Sequence, residues 1–255
     1  MAAAASAAHL GALVVVGLMF VTSSPQFEPT PPESPAASVP VLVARTVAID
    51  DPGALLALLP EAMSPEQISS WVRNGEGLVG WGRALTCQTR GANRFAEAQA
   101  WWQSVVEHAV VRDDLHLRGT GPVAFGSFSF SADSPAGAIL VVPEVLVGHR
   151  GSQSWMTTIG VDSHLPAGRD PSVASPPVPP LDVTFADGAL SGVRWSTVVT
   201  RAVERINAGE MDKVVLARDL AVNASSAIDP RWLLHRLAER YDTTWVFAVD
   251  GLVGA

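Results

Sequence analysis

INAGEMDKVVLARDL, residues 206–220, leaves a helix at Gly209 and enters a run of β-formers led by Lys213. Upstream, Ser191 to Ala208 places Val198, Val199, Ala202, Val203 and Ile206 at helical spacing, with Gly209 as the C-cap. The pattern predicts a strand over Lys213 to Val222 and then a helix over Pro230 to Arg240 (PRWLLHRLAER), with Asp229 at its N-cap and Pro230 at N1. Tyr241 to Ala255 (YDTTWVFAVDGLVGA) reads as a β-hairpin turning at Asp250-Gly251.

Further upstream the chain is strand-rich. VLVARTVAI (Val41 to Ile49) has strand composition, Asp50 to Gly53 is a turn or helix-start signal, and ALLALLPEAM is a short apolar helix. Trp71 to Arg73 passes through Asn74-Gly75, a hairpin turn, into Gly77 to Leu85. Phe95 to Val111 carries Phe95, Ala98, Trp102, Val105, Val106 and Ala109 on one helical face. Gly119 to Phe130 and Ala138 to Pro143 are strands; Gly148 to Gly151 is a turn before the strand Ser154 to Val161. Gly126 marks a strand that another backbone or a helix approaches closely. His164 to Leu181 is a proline-rich excursion. Strands first, then helix, strand, helix and strand, make an α+β arrangement of antiparallel sheets with packed helices.

At 255 residues and 48% apolar, the chain has the material for a substantial core. Its net charge of −8, without a Lys/Arg cluster, excludes a general nucleic-acid binder. An anionic small substrate is compatible with it, since a local field can oppose the net charge. Cys87, the single cysteine, rules out an intramolecular disulfide and a Cys-rich zinc site, and suits a reducing cytoplasm. It reads as a packing residue.

Residues 1–40 stand apart as an apolar leader followed by a disordered Pro/Ser-rich linker (SSPQFEPTPPESPAASVP, from Ser23), with the folded domain over 41–255. Leu10 to Val21 has the length of a signal-peptide core, but no Lys or Arg precedes Arg45, so the basic segment that precedes such a core is missing. A membrane anchor is disfavoured for the same reason. Among single residues, the six histidines have no metal-ligand spacing, Asp113-Asp114 reads as an exposed loop pair, and the tryptophans fit core packing.

The Lys213 region resembles the chorismate-utilising enzymes, most closely the isochorismate synthases, whose signature is a helix ending at Gly that feeds a strand K-V-V-L-[SA]-R. GEGLVGWG (Gly75 to Gly82) and GTGPVAFGSFSF (Gly119 to Phe130) are similar to N-terminal strands of the actinobacterial members. GLVGA resembles the start of a further motif, G-A-[ST]-P-E, cut after its alanine. The resemblance covers about Val41 to Ala255. It implies the N-terminal and central part of an anthranilate synthase component I-like fold, incomplete at its C-terminal side.

The resemblance also implies an activity. Ammonia-using members carry Gln where this chain has Lys213, so water is the implied nucleophile. Lys213 would be the general base for water attack on C2 of chorismate as the C4 hydroxyl leaves, in menaquinone or siderophore biosynthesis. The general-acid glutamate and the Mg²⁺ ligands would lie beyond Ala255, leaving residues 1–255 inactive and prone to aggregate. A lysine base needs a lowered pKa, which Val214, Val215 and Leu216 would favour by desolvation. By pleat alternation Arg218 falls on the other strand face and takes a structural ion-pair role. On spacing alone Lys213 is an exposed strand-start lysine; the motif gives it the catalytic role. Two other readings stand: a salicylate synthase, which also eliminates pyruvate, and a non-catalytic secreted or membrane-tethered binding module.

Overall fold

The computed structural model describes residues 12–16, 41–162, 165 and 171–255. The chain divides into two units: residues 1–19, 34–178 and 229–255 form one, and 20–33 and 179–228 the other.

The first unit begins with β1 (Ala12–Val16), β2 (Leu42–Ile49), β3 (Ile68–Arg73), β4 (Glu76–Trp81) and β5 (Leu85–Thr89). The helix α1 (Arg94–Glu107) follows, then β6 (Val110–Asp113), β7 (Val123–Phe128), β8 (Ala138–Val142), β9 (Val145–Arg150) and β10 (Gln153–Val161). The second unit holds β11 (Thr184–Asp187), α2 (Gly192–Asn207) and β12 (Leu220–Asn223). The first unit is completed by α3 (Pro230–Arg240), β13 (Val246–Val249) and β14 (Leu252–Gly254).

Eight strands make its larger sheet, in the order β14-β13-β3-β4-β9-β10-β2-β6; β1-β7-β8-β5 make a second. Pairing is antiparallel except for β2 with β6 and β1 with β7. Five residues of the expected leader thus belong to a sheet, with Val15 opposite Gly126. Gly126 also pairs with Leu140 of β8, so backbones approach it from both sides, as its composition suggested. The rest of residues 1–40, with the expected linker, lies outside the described residues. No described helix is long and apolar enough to cross a membrane.

The two predicted hairpins form with the turns their residues favour. Asn74 (φ 52°) and Gly75 (φ 78°) join β3 to β4, and Asp250 (φ 49°) and Gly251 (φ 81°) join β13 to β14. Both central residues are left-handed, as the twist-matched two-residue turn requires.

Three expectations fail locally. The helix over ALLALLPEAM is a single 3-10 turn, Leu55–Leu58. Leu59 is extended because Pro60 follows, and a residue before proline is pushed out of the helical region. Predicted to Val111, α1 stops at Glu107; Val110 and Val111 instead pair alongside Val43 and Ala44 of β2, the better use of two β-branched residues. Gly148 is not in a turn: β9 runs on to Arg150, and the reversal is at Gly151 (φ 60°). A methyl at Gly148 would run into the Trp155 ring, which lies across it.

Apolar clusters fill the unit. Ala98, Trp102 and Val105 of α1 bury against Ala124, Leu140 and Val142 of one sheet and Leu42 and Ile159 of the other. Phe95, half exposed, stacks on Phe128 with ring centroids 4.7 Å apart. Cys87 packs at the edge of this cluster, and burial pushes its thiol pKa up. A second cluster joins Leu55, Leu58, Leu59 and Leu234 of α3 to Ile68, Val79 and Val147.

Most buried polar side chains are paired, although the Ser70 hydroxyl in β3 and the Arg218 Nε have no hydrogen-bond partner among the described residues. The Thr46 and Thr157 hydroxyls meet at 2.9 Å, and the Gly121 N–H donates to Thr46 at 3.1 Å. The Arg94 guanidinium donates to the carbonyls of Gly91, Ser129 and Phe130 at 2.9, 3.0 and 2.7 Å. Asp229 caps α3 by accepting from the Arg231 N–H (2.9 Å) and holds the Arg231 guanidinium at 2.6 Å. Arg231, itself buried, donates onward to the carbonyls of Leu59 and Ser175. Asp113 is committed to its loop: it accepts from the Leu115 N–H and the Thr120 hydroxyl, so the Asp113-Asp114 pair is a loop-stabilising device.

Candidate functional site

Lys213 lies in the second unit. Ser191 starts α2 as its N-cap, its hydroxyl accepting from the Arg194 N–H at 3.4 Å. Gly209 (φ 74°) ends it in the left-handed conformation that glycine adopts without steric cost. Arg205 reaches Glu210 just past that end, at 2.7 Å. Both ends of α2 therefore stand where the sequence puts them.

The strand expected over Lys213 to Val222 begins only at Leu220. β12 pairs with β11 alone, from Asp187↔Leu220 to Thr184↔Asn223, and residues 213–219 take no regular structure. A strand exists through its ladder, and no described strand runs beside these seven residues. The pleat that was to separate Lys213 from Arg218 is therefore not formed.

Lys213 is exposed, and of its three expected desolvating neighbours Val214 is 43% and Val215 89% accessible, with only Leu216 half-buried. Among the described residues the Lys213 ammonium makes no hydrogen bond or ion pair. Arg218 does take the structural ion pair expected of it, donating to Asp187 at 2.5 Å. Asp219 accepts the Ala189 N–H with both carboxylate oxygens at 3.0 Å, in space that a side chain at Gly188 would fill. The Asp187–Leu220 end of the β11–β12 ribbon is thus pinned by charge-assisted bonds through Arg218 and Asp219, while Lys213, five residues earlier, is not held in this way.

The apolar stripe of α2 is in a similar state. Trp195, Val198, Ala202 and Ile206 are only half-buried, Val199 and Val203 are exposed, and no residue of the helix is buried. Phe185 of β11 is 68% accessible. Of the residues singled out from the sequence, Lys213 is exposed and has no polar partner among the described residues, and it follows in the chain a helix whose apolar stripe is not buried.

Among the described residues no group of three or more His, Cys, Asp and Glu side chains is gathered to hold a metal ion. The Mg²⁺ implied by the resemblance finds no fitting donor set there, and no step below passes through it.

Comparison with known proteins places this geometry in context. The chain is 26% identical over 246 residues to the salicylate biosynthesis isochorismate synthase of Pseudomonas aeruginosa, covering 87% of this chain and 50% of that protein. It is 24% identical over 200 residues to the isochorismate synthase MenF of Bacillus subtilis, covering 68% of this chain and 42% of that protein. The chain thus spans about half the length of the curated relatives it matches. Among solved structures, the menaquinone-specific isochorismate synthase MenF of Escherichia coli superposes with a TM-score of 0.52 at 16% identity, over 85% of this chain and 50% of that one. The fold is accordingly that of the isochorismate synthases, in part. The family model described as chorismate binding enzyme matches residues 34–165 and 172–253, which take in nearly every element described above, and the chain belongs to that family.

Proposed function

We propose that this chain contributes the N-terminal and central part of an isochorismate synthase, with Lys213 as the base that activates water. The observation that carries the reading is Lys213 itself, in the K-V-V-L-A-R run at a position where the ammonia-using members have Gln, inside a family match that covers both units. Similarity to the isochorismate synthases of Pseudomonas aeruginosa and Bacillus subtilis supports the same reaction.

In the proposed reaction Lys213 takes a proton from water as the water oxygen bonds to C2 of chorismate. The ring double bonds shift and the C4–O bond breaks. The departing hydroxyl takes a proton from an acid outside residues 1–255. Atoms balance, so the product is an isomer of the substrate. Lys213 must be neutral to start, and desolvation is what lowers a lysine pKa far enough. Its exposure in the structure therefore requires that the active form cover it with further polypeptide. The same cover would account for the bare stripe of α2.

The test is to tag the protein at its own locus, purify it from its host with whatever polypeptide accompanies it, and supply chorismate and Mg²⁺. Isochorismate as product supports the reading. Salicylate with pyruvate selects the salicylate synthase, the second member of the family that keeps the lysine. An aminated product with ammonium, or no turnover of chorismate, overturns both.

A further inference from the structure

The first unit contains a cavity of about 490 Å³. Its lining combines three tryptophans, Trp71, Trp155 and Trp245, with two arginines, Arg118 and Arg150. Trp155 is almost wholly buried and donates its indole N–H to the Gly119 carbonyl at 3.0 Å, so it offers the cavity ring surface and no free donor. Trp245 stacks on Trp71 with centroids 5.3 Å apart and an interplanar angle of 21°. The two rings come from positions beside paired strands, since Val246 of β13 lies opposite Val72 of β3. The aromatic wall is therefore held by the main sheet.

The polar groups are of mixed sign with positive excess. Arg118 and Arg150 are exposed at the cavity and form no ion pair among the described residues. Glu76, the one acidic lining residue, accepts the Gly151 N–H at 2.9 Å. The Nδ1 of His149 is engaged with the Ser154 hydroxyl at 2.9 Å. Two unpaired guanidiniums against one carboxylate already occupied by a backbone donor favour a single negative charge. Guanidinium matches a carboxylate in a planar, two-pronged geometry. Tryptophan faces favour a flat aromatic body over an aliphatic one.

The geometry points to a binding site for a planar aromatic carboxylate, with its ring against the tryptophans and its carboxylate at Arg118 and Arg150. A cavity of this size is in the range that encloses a small-molecule ligand. The site stands on the first unit alone and needs nothing from Lys213.

The probes are 2-naphthoate, its neutral isostere naphthalene-2-carboxamide and the non-aromatic cyclohexanecarboxylate, titrated calorimetrically into residues 1–255 with tryptophan fluorescence read in parallel. Saturable one-to-one binding of 2-naphthoate with quenching is expected, and each comparison probe should bind at least about tenfold more weakly, the loss of one charge-assisted bond or one stacked face. The double variant R118Q/R150Q, altered only at exposed side chains, should keep the thermal unfolding midpoint and lose at least about tenfold in affinity. W245L should weaken binding while R118Q/R150Q retains the quenching seen at saturation. Three results overturn the site: no saturable binding of 2-naphthoate, equal binding of the carboxamide, or unchanged affinity in the arginine double variant.

Discussion

α1 and α2 carry apolar stripes that look alike in sequence, and they meet different fates. On α1 the middle of the stripe is covered: Ala98, Trp102 and Val105 are within a few per cent of full burial between two sheets, while Phe95 at its start stays half exposed. On α2 every stripe residue keeps contact with solvent. Local signals end α2 at Ser191 and Gly209, whereas α1 has no side-chain cap at Asn93 and stops at Glu107, short of its sequence pattern. What separates them is whether the surface complementary to the stripe is present, because helix stability in proteins comes mostly from packing an apolar face and less from propensity. The chain spans about half the length of its curated relatives, and within it one apolar stripe is buried while the other faces water.

That contrast can be broken most directly by hydrogen exchange on residues 1–255. Amides of Val79, Val147 and Ile159, in the middle of the large sheet, should exchange roughly a thousandfold more slowly than those of α2 and residues 213–219, the ratio for about 4 kcal/mol of opening free energy. Equal protection in both units would break the comparison. Substitution gives the next largest effect. Phe125→Ala, at a fully buried ring, should cost about 3–5 kcal/mol in denaturant unfolding, whereas Val193→Ala on α2, 81% accessible, should stay within about 0.5 kcal/mol. Gly148→Ala should cost about 1–3 kcal/mol by displacing Trp155, and a neutral result would mean that the indole does not lie where it is described.

Smaller effects sharpen the same picture. Asp229→Ala removes both the α3 cap and the partner of the buried Arg231, so it should cost at least the ~1 kcal/mol of a lost cap. Ser191→Ala removes a 3.4 Å cap from the uncovered α2 and should be nearly silent in global unfolding. Cys87 supplies a pH readout. Its pKa is raised by burial, with the Glu97 carboxylate adding to the rise, so the folded state holds this proton more tightly than the unfolded chain. The sign follows: the contribution is intact below the unfolded thiol's pKa and is lost as pH rises through the folded value. Alkylation of native Cys87 should accordingly lag behind that of the unfolded chain at the same mildly alkaline pH.

Much of the first unit was legible because its signals are local. Asn74-Gly75 and Asp250-Gly251 encode their turn dihedrals, Asp229-Pro230 announces the start of α3, and the α1 stripe names three of its buried residues, Ala98, Trp102 and Val105. Errors arose where a distant partner decides. Val110 and Val111 continue a helical pattern until β2 claims them as a strand, and Gly148 looks like a turn until Trp155, paired opposite it, requires the space. Lys213 to Asp219 reads as a strand from composition, yet composition provides no neighbour to bond with. The cavity was illegible for the same reason: Trp71, Arg118, the Arg150–Trp155 hairpin and Trp245 come from four separate stretches that only the fold brings together. The motif is what proposes a role for Lys213, while the environment a base requires is not supplied by the residues described here.

The most direct test of the central claim is the product assay repeated on the locus-tagged protein carrying Lys213→Ala. The account predicts that the unsubstituted protein forms isochorismate from chorismate and that the variant, purified in equal yield with the same companions, is slower by about 10²-fold or more, the scale of a lost general base. Isochorismate formation at an undiminished rate in the variant would contradict it.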